Sequence, residues 1–103
     1  MKKSVKTLTG KQNRHLRSLG HHLHAVVQVG KEGVTGALMA TIDREPTAHE
    51  LIKLKVLETA PEEPAEAASI IARGNFAHIA QVVGRTILMY RAHPDKPRIV
   101  LPV

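Results

Sequence analysis

Two runs of strand-forming residues, Ile79-Ala80-Gln81-Val82-Val83 and Thr86-Ile87-Leu88-Met89-Tyr90-Arg91, are separated only by Gly84-Arg85. A connection this short closes a hairpin and nothing wider, so the two strands must be adjacent and antiparallel. Upstream, the β-branched run Ala25-Val26-Val27-Gln28-Val29 and the alternating run Leu51-Ile52-Lys53-Leu54-Lys55-Val56-Leu57 are set apart by stretches with helical spacing. Strands separated by helices can pair in parallel, and at least one such pairing is expected. The sheet is therefore predicted to be mixed, in a compact two-layer α/β domain whose order is helix, strand, helix, strand, helix, strand, strand. At 103 residues, the chain has room for one core, and residues 1–103 are read as a single domain.

Within this frame, residues 1–8 form a basic arm and Thr9 caps a helix from about Gly10 to His21. Leu8, Leu16, Leu19 and Leu23 make its buried stripe, and at roughly 100° per residue Lys11, Arg14 and Arg17 point away from it. Thr35 caps a second helix that buries Val34, Leu38 and Ile42, and Pro46 is expected to end or bend it. In the second strand Ile52, Leu54 and Val56 share one face while Lys53 and Lys55 share the other, which suits a sheet covered fully on one side only. Pro61-Glu62-Glu63-Pro64 opens a third helix that buries Ala67, Ile70 and Ile71, with Gly74 as its expected stop. Residues 92–103, interrupted by Pro94, Pro97 and Pro102, are a tail in which Ile99-Val100-Leu101 either adds a short strand or packs without one.

Fifteen Lys and Arg against nine Asp and Glu give a net charge of +6 and a pI near 10.1, a balance that favours a polyanionic partner. With no cysteine, thiolate metal sites, disulfides and a cysteine nucleophile are excluded. Aromatic residues make up 2% of the chain, Phe76 and Tyr90, so stacking of several bases on exposed rings is not available. No signal peptide or spanning segment is read from the sequence, and a cytoplasmic, monomeric protein that engages no membrane is expected.

The tetrapeptide most suggestive of a site is Gly30-Lys31-Glu32-Gly33, between the first strand and the second helix. Two residues without Cβ atoms let main chain approach a phosphate, and Lys31 adds charge. As a bare GxxG pattern it is also an ordinary turn. It lacks the lysine and hydroxyl that follow the second glycine of a nucleotide-triphosphate loop, and the third glycine of a dinucleotide loop. Arg85 is either a phosphate contact or a solvated turn arginine, and Lys53 and Lys55 are either a basic sheet surface or protection for an exposed face. His15, His21, His22 and His24, with His49 and Glu50, raise a metal site, but none falls into the helix-borne metalloprotease spacing. Ser4, Ser18 and Ser69 lie in no nucleophile elbow, and Glu62 and Glu63 are explained as charge at a helix start. No catalytic residue, metal or cofactor is assigned.

Four ordered blocks carry a resemblance: Leu8-Thr9-Gly10-Lys11-Gln12 with Leu16-Arg17-Ser18-Leu19; Val27-Gln28-Val29-Gly30-Lys31-Glu32-Gly33-Val34-Thr35; Ala48-His49-Glu50-Leu51-Ile52-Lys53-Leu54-Lys55-Val56; and Gln81-Val82-Val83-Gly84-Arg85-Thr86-Ile87-Leu88-Met89-Tyr90-Arg91. Over nearly its whole length the chain resembles the YhbY-like, stand-alone bacterial form of the CRM domain, named for chloroplast RNA splicing and ribosome maturation. The resemblance implies a mixed four-stranded sheet similar to the C-terminal domain of bacterial translation initiation factor three, with a loop like that of KH domains. It also implies an RNA partner, ribosomal RNA of the large-subunit precursor, and no reaction. On that model Gly30, Lys31, Glu32 and Gly33 form the loop against the RNA backbone, Lys11, Arg14 and Arg17 widen the surface, and Lys53 and Arg85 are further candidates. His49 and Glu50 are characteristic positions that either touch RNA or hold the strand start. Glu32, an acid within the clamp, and Pro46, within a helix, depart from the pattern.

Overall fold

The computed structural model describes residues 8–103, and for residues 45–49 the backbone alone. The arm before Leu8, with Lys2, Lys3 and Lys6, and the side chains of Pro46 and His49 lie outside the described residues. Three helices and four strands follow in the order α1 (Gly10–Gly20), β1 (Ala25–Val29), α2 (Gly36–His49), β2 (Leu51–Val56), α3 (Pro64–Asn75), β3 (His78–Val83) and β4 (Thr86–Tyr90). The sheet order is β1-β2-β4-β3, with β1 parallel to β2 and the other two pairings antiparallel. The mixed four-stranded α/β fold is thus as the sequence predicts.

Local chemistry explains the helix starts. Thr9 Oγ1 accepts from Gln12 N at 3.1 Å while Gln12 Oε1 accepts from Thr9 N at 3.0 Å, a reciprocal cap of two otherwise orphaned donors. Thr35 Oγ1 accepts from Leu38 N at 3.1 Å. Pro64 occupies the first turn of α3, where its missing N–H is no loss.

Residues paired directly across strands share a face, so the register divides the sheet into two surfaces. Ile52 with Met89 and Leu54 with Ile87 line one of them, packed with Val27, Val29 and Val56 against Ile42 of α2 and Ala67, Ala68 and Ile71 of α3. Leu51 with Tyr90, and Leu88, line the other, beneath Leu16 of α1 with Leu8, Leu23, Ile99 and Leu101 around it. The two-layer expectation is therefore exceeded: α1 and the tail form a partial third layer. The second surface, covered over only part of its length, carries Lys53 and Lys55, as their alternation predicts.

Four local expectations are corrected. α2 runs through Pro46 to His49 rather than ending at the proline, which forgoes only its own N–H bond to the carbonyl four residues back. α3 passes Gly74 and stops at Phe76, which adopts the left-handed conformation at φ 52°. Gly74 faces α2, where a Cβ would meet Met39 Cε, the movable end of that side chain. Leu19, expected in the buried stripe, is 39% exposed, and Ile70 is only half-buried. Ile99-Val100-Leu101 packs without joining the sheet.

Candidate nucleic-acid interface

The glycine loop leaves the end of β1 where Val29 pairs with Val56, and a Gly33 N–H bond to Gly30 O at 2.9 Å closes its turn. Lys31 and Glu32 are exposed at the tip, but Gly33 is buried. Its φ of 75° requires glycine, and a Cβ would stand 2.7 and 2.8 Å from the Glu62 carboxylate oxygens and 2.9 Å from Pro61 Cγ. Glu62 Oε2 accepts from Val34 N at 3.2 Å, and Oε1 is buried with no hydrogen-bond partner among the described residues. The expectation that both glycines offer main chain to a phosphate is corrected here. The second glycine is covered by the α3 approach, and Glu62 acts on the loop rather than only as helix-start charge. Close apposition, not phosphate access, is what requires a residue without Cβ at Gly33.

Arg85 sits at the same end of the sheet. Its Nε donates to Val56 O at 2.7 Å and Nη2 to Leu57 O at 2.8 Å, while Val56 N donates back to Arg85 O at 2.8 Å. The side chain clasps the β3–β4 turn to the end of β2, a third role beside the two weighed from sequence. The segments that meet at this end, 30–33, 55–63 and 84–85, carry Lys31, Lys55 and Arg85 together with Glu32, Glu58, Glu62 and Glu63, three cations and four carboxylates. The loop is thus not the centre of positive charge.

That centre lies on α1. Leu16 is fully buried and Gly20 lies against β4, where a Cβ would meet Leu88 methyls at 2.8 and 2.9 Å. Lys11 and Arg14 project from the opposite, exposed face, and Arg17 is half-buried on the flank. The first acidic residue of the chain is Glu32, so no carboxylate of α1 or β1 neutralises them. Lys53 and Lys55 pair with Leu88 and Thr86, which places both lysines on the sheet face that α1 covers. The structure does not set α1 beside the glycine loop. Asn13 Oδ1 bonds His78 Nε2 at 2.7 Å, at the start of edge strand β3, whereas the loop leaves the far end of the opposite edge strand β1, displaced about 17 Å along the strand direction alone at roughly 3.3 Å per residue. Lys53 and Lys55 occupy the ground between.

Glu50 is the residue whose role sequence reasoning left open. It is 2% exposed, adopts φ 60°, and accepts three backbone N–H bonds from the tail: His93 at 2.6 Å to Oε2, Arg98 at 2.8 Å and Ile99 at 2.9 Å to Oε1. It therefore holds the tail beside the strand start rather than offering a carboxylate to RNA. Burial opposes its ionisation, but the donors from His93, Ile99 and Arg98, with the charge of His93, outweigh that and hold its pKa below the ordinary glutamate value. The only sequence signal was an acid directly preceding an apolar strand. Desolvation lowers the His78 pKa, and burial followed by the Glu50 charge raises that of Tyr90. Among the described residues no group of three or more His, Cys, Asp or Glu side chains is arranged to hold a metal ion. No described helix is long and apolar enough to cross a membrane.

Residues 8–91 match the CRS1 / YhbY (CRM) domain model. The chain is 39% identical over 95 residues to Probable RNA-binding protein YqeI of Bacillus subtilis (strain 168), covering 92% of this chain and 99% of that one. It is 35% identical over 96 residues to an RNA-binding protein of Haemophilus influenzae, covering 93% and 96%. The fold superposes with a TM-score of 0.79 and 35% identity on the solution structure of protein SAV1595 from Staphylococcus aureus, over 93% of this chain and 100% of the other.

Proposed function

This chain belongs to the CRS1 / YhbY (CRM) domain family, and from that premise we propose that it is a monomeric, cytoplasmic RNA-binding protein without catalytic activity that binds ribosomal RNA of the large-subunit precursor. The observation that carries the reading is that the cations Lys11, Arg14 and Arg17 of α1 lie on the side of the sheet that also bears Lys53 and Lys55, with no carboxylate in the first 31 residues. Cations spread along one face neutralise successive phosphates and release counterions, which supplies affinity without reading sequence. Lys31, at the tip of the glycine loop, adds a contact at the end of that track. Gly30 shapes the turn, and Gly33 with Glu62 fixes its position. Arg85 contributes by holding the strand ends.

The test is a salt titration of binding to a structured ribosomal RNA fragment. Replacing Lys11→Glu with Lys31→Glu should lower affinity and reduce the slope of log K against log salt by roughly one or more, with the fold retained. An unchanged slope refutes the surface. Competition with duplex DNA separates an RNA protein from a general nucleic-acid module, since indifference contradicts the proposal. Crosslinking of the native protein in cells, followed by sequencing of the bound RNA, tests the ribosomal target. Crosslinks spread over messenger and transfer RNA would overturn it.

A further inference from the structure

Beside the cationic track, on the same sheet face, lies a groove of about 450 Å³ where the C-terminal end of α1, the turn that follows it and edge strand β1 meet. Its walls are Leu19, Leu23, Val26 and Ile99, and its polar rim is His22, His24 and Lys53. Two of the walls are large apolar side chains left open to solvent, Leu19 at 39% and Val26 at 54%. The register irregularity between Ala25 and Val27 accompanies this exposure of Val26. Since β1 is a sheet edge among the described residues, unpaired main-chain donors and acceptors run along one side of the groove.

We propose that this groove receives one unpaired nucleotide of the bound RNA, its base between Leu19, Leu23 and Val26 and its phosphate on Lys53 and the histidine rim. The inference rests on the RNA-binding reading above and deepens it. The rim selects the occupant: a neutral apolar ligand has no use for an ammonium group and two imidazoles at the mouth, whereas a nucleotide is an apolar-faced disc carrying one anion. The volume lies in the range of ordinary small-ligand clefts. The free edge of β1 can meet the hydrogen-bonding edge of a base, so one base is bound without an aromatic platform, in a chain whose two aromatic residues do not line the groove.

The experiment compares the full-length protein on a short oligouridylate and on the same ribose-phosphate chain with abasic positions. The base-bearing strand should bind about tenfold more tightly, the order expected from removing one base face, roughly 55 Å² of apolar surface, from water. Leu19→Gln with Val26→Gln should abolish that preference and leave the salt slope unchanged. Equal binding of both strands by the wild type overturns the inference while sparing the RNA reading, and absence of any RNA binding overturns both. A preference that survives in the double variant also overturns it. Should that variant melt early, the methyl resonances of Leu19, Leu23 and Val26 in the wild type decide: they shift on adding oligouridylate, or the groove is not the site. Concentration-dependent dimerisation that the double variant loses would assign the groove to a second copy of the chain and overturn the proposal.

Discussion

Replacing Glu50→Ala tests how the C-terminal segment is held. The carboxylate accepts from His93, Arg98 and Ile99 at 2.6 to 2.9 Å, and these three bonds fasten a tail that brings Ile99 and Leu101 onto the Leu16 cluster. A hydrogen bond to a charged group contributes roughly 1.5 to 3 kcal/mol, so three at full value would exceed what the site is worth. The loss is limited because the tail can detach and return its N–H groups to water, after which only the half-buried Ile99 and Leu101 contacts are forfeited. Two half-buried aliphatic side chains add about 2 kcal/mol, and with the bonds not recovered by water the net loss is about 3 kcal/mol. For a domain of this size that lowers Tm by roughly 12 to 24 °C. Hydrogen exchange should show residues 92–99 unprotected while β2 and β4 remain protected. Deleting residues 92–103 should be non-additive with Glu50→Ala, since the deletion removes the donors the carboxylate serves. The sign with pH follows from the lowered pKa. The charged form is favoured by folding, so this stability is complete above the unfolded glutamate value and is lost as pH falls through the folded one. Glu50→Gln should therefore flatten the acid limb of the stability curve. A Tm change below a few degrees with the tail still protected would refute the argument.

Gly33→Ala should destabilise the protein by about 1 to 3 kcal/mol, because it meets both an unfavourable φ and the Glu62 and Pro61 atoms within 3 Å; an unchanged denaturation midpoint contradicts this. Gly20→Ala and Gly74→Ala should differ in sign: the first crowds buried Leu88 and is destabilising by about 1 to 3 kcal/mol, whereas the second displaces the flexible end of Met39 and gains up to about 1 kcal/mol of helix propensity. Thermal melts of the pair check both. Arg85→Ala should lower stability by about 1 to 2 kcal/mol through the lost Val56 and Leu57 carbonyl bonds. A large fall in RNA affinity at unchanged stability would instead make Arg85 a phosphate contact.

What could be read without coordinates was governed by near neighbours. The Thr9 cap, the Gly84-Arg85 hairpin and the alternation of Lys53 and Lys55 with Ile52, Leu54 and Val56 each depend on residues a few positions apart, whose backbone periods fix their directions. Gly74 does not end α3 as a glycine near a helix end predicts, because the left-handed cap falls on Phe76 two residues later, where the chain turns toward β3. Pro46 does not end α2, because one missing N–H removes a single helical bond and the residues on either side keep the helical conformation.

The sequence alone determined the elements, their order, the hairpin and the excess of cations in the first third of the chain. Only the tertiary structure decided that α1 covers the second face of the sheet, that Glu62 closes over Gly33, that Arg85 faces main-chain carbonyls, and that Glu50 is spent on the tail. Glu62 is 28 residues from Val34 and Glu50 is 48 from Arg98. A charged side chain's partner at such range is set by which surfaces pack together, and no local period encodes that.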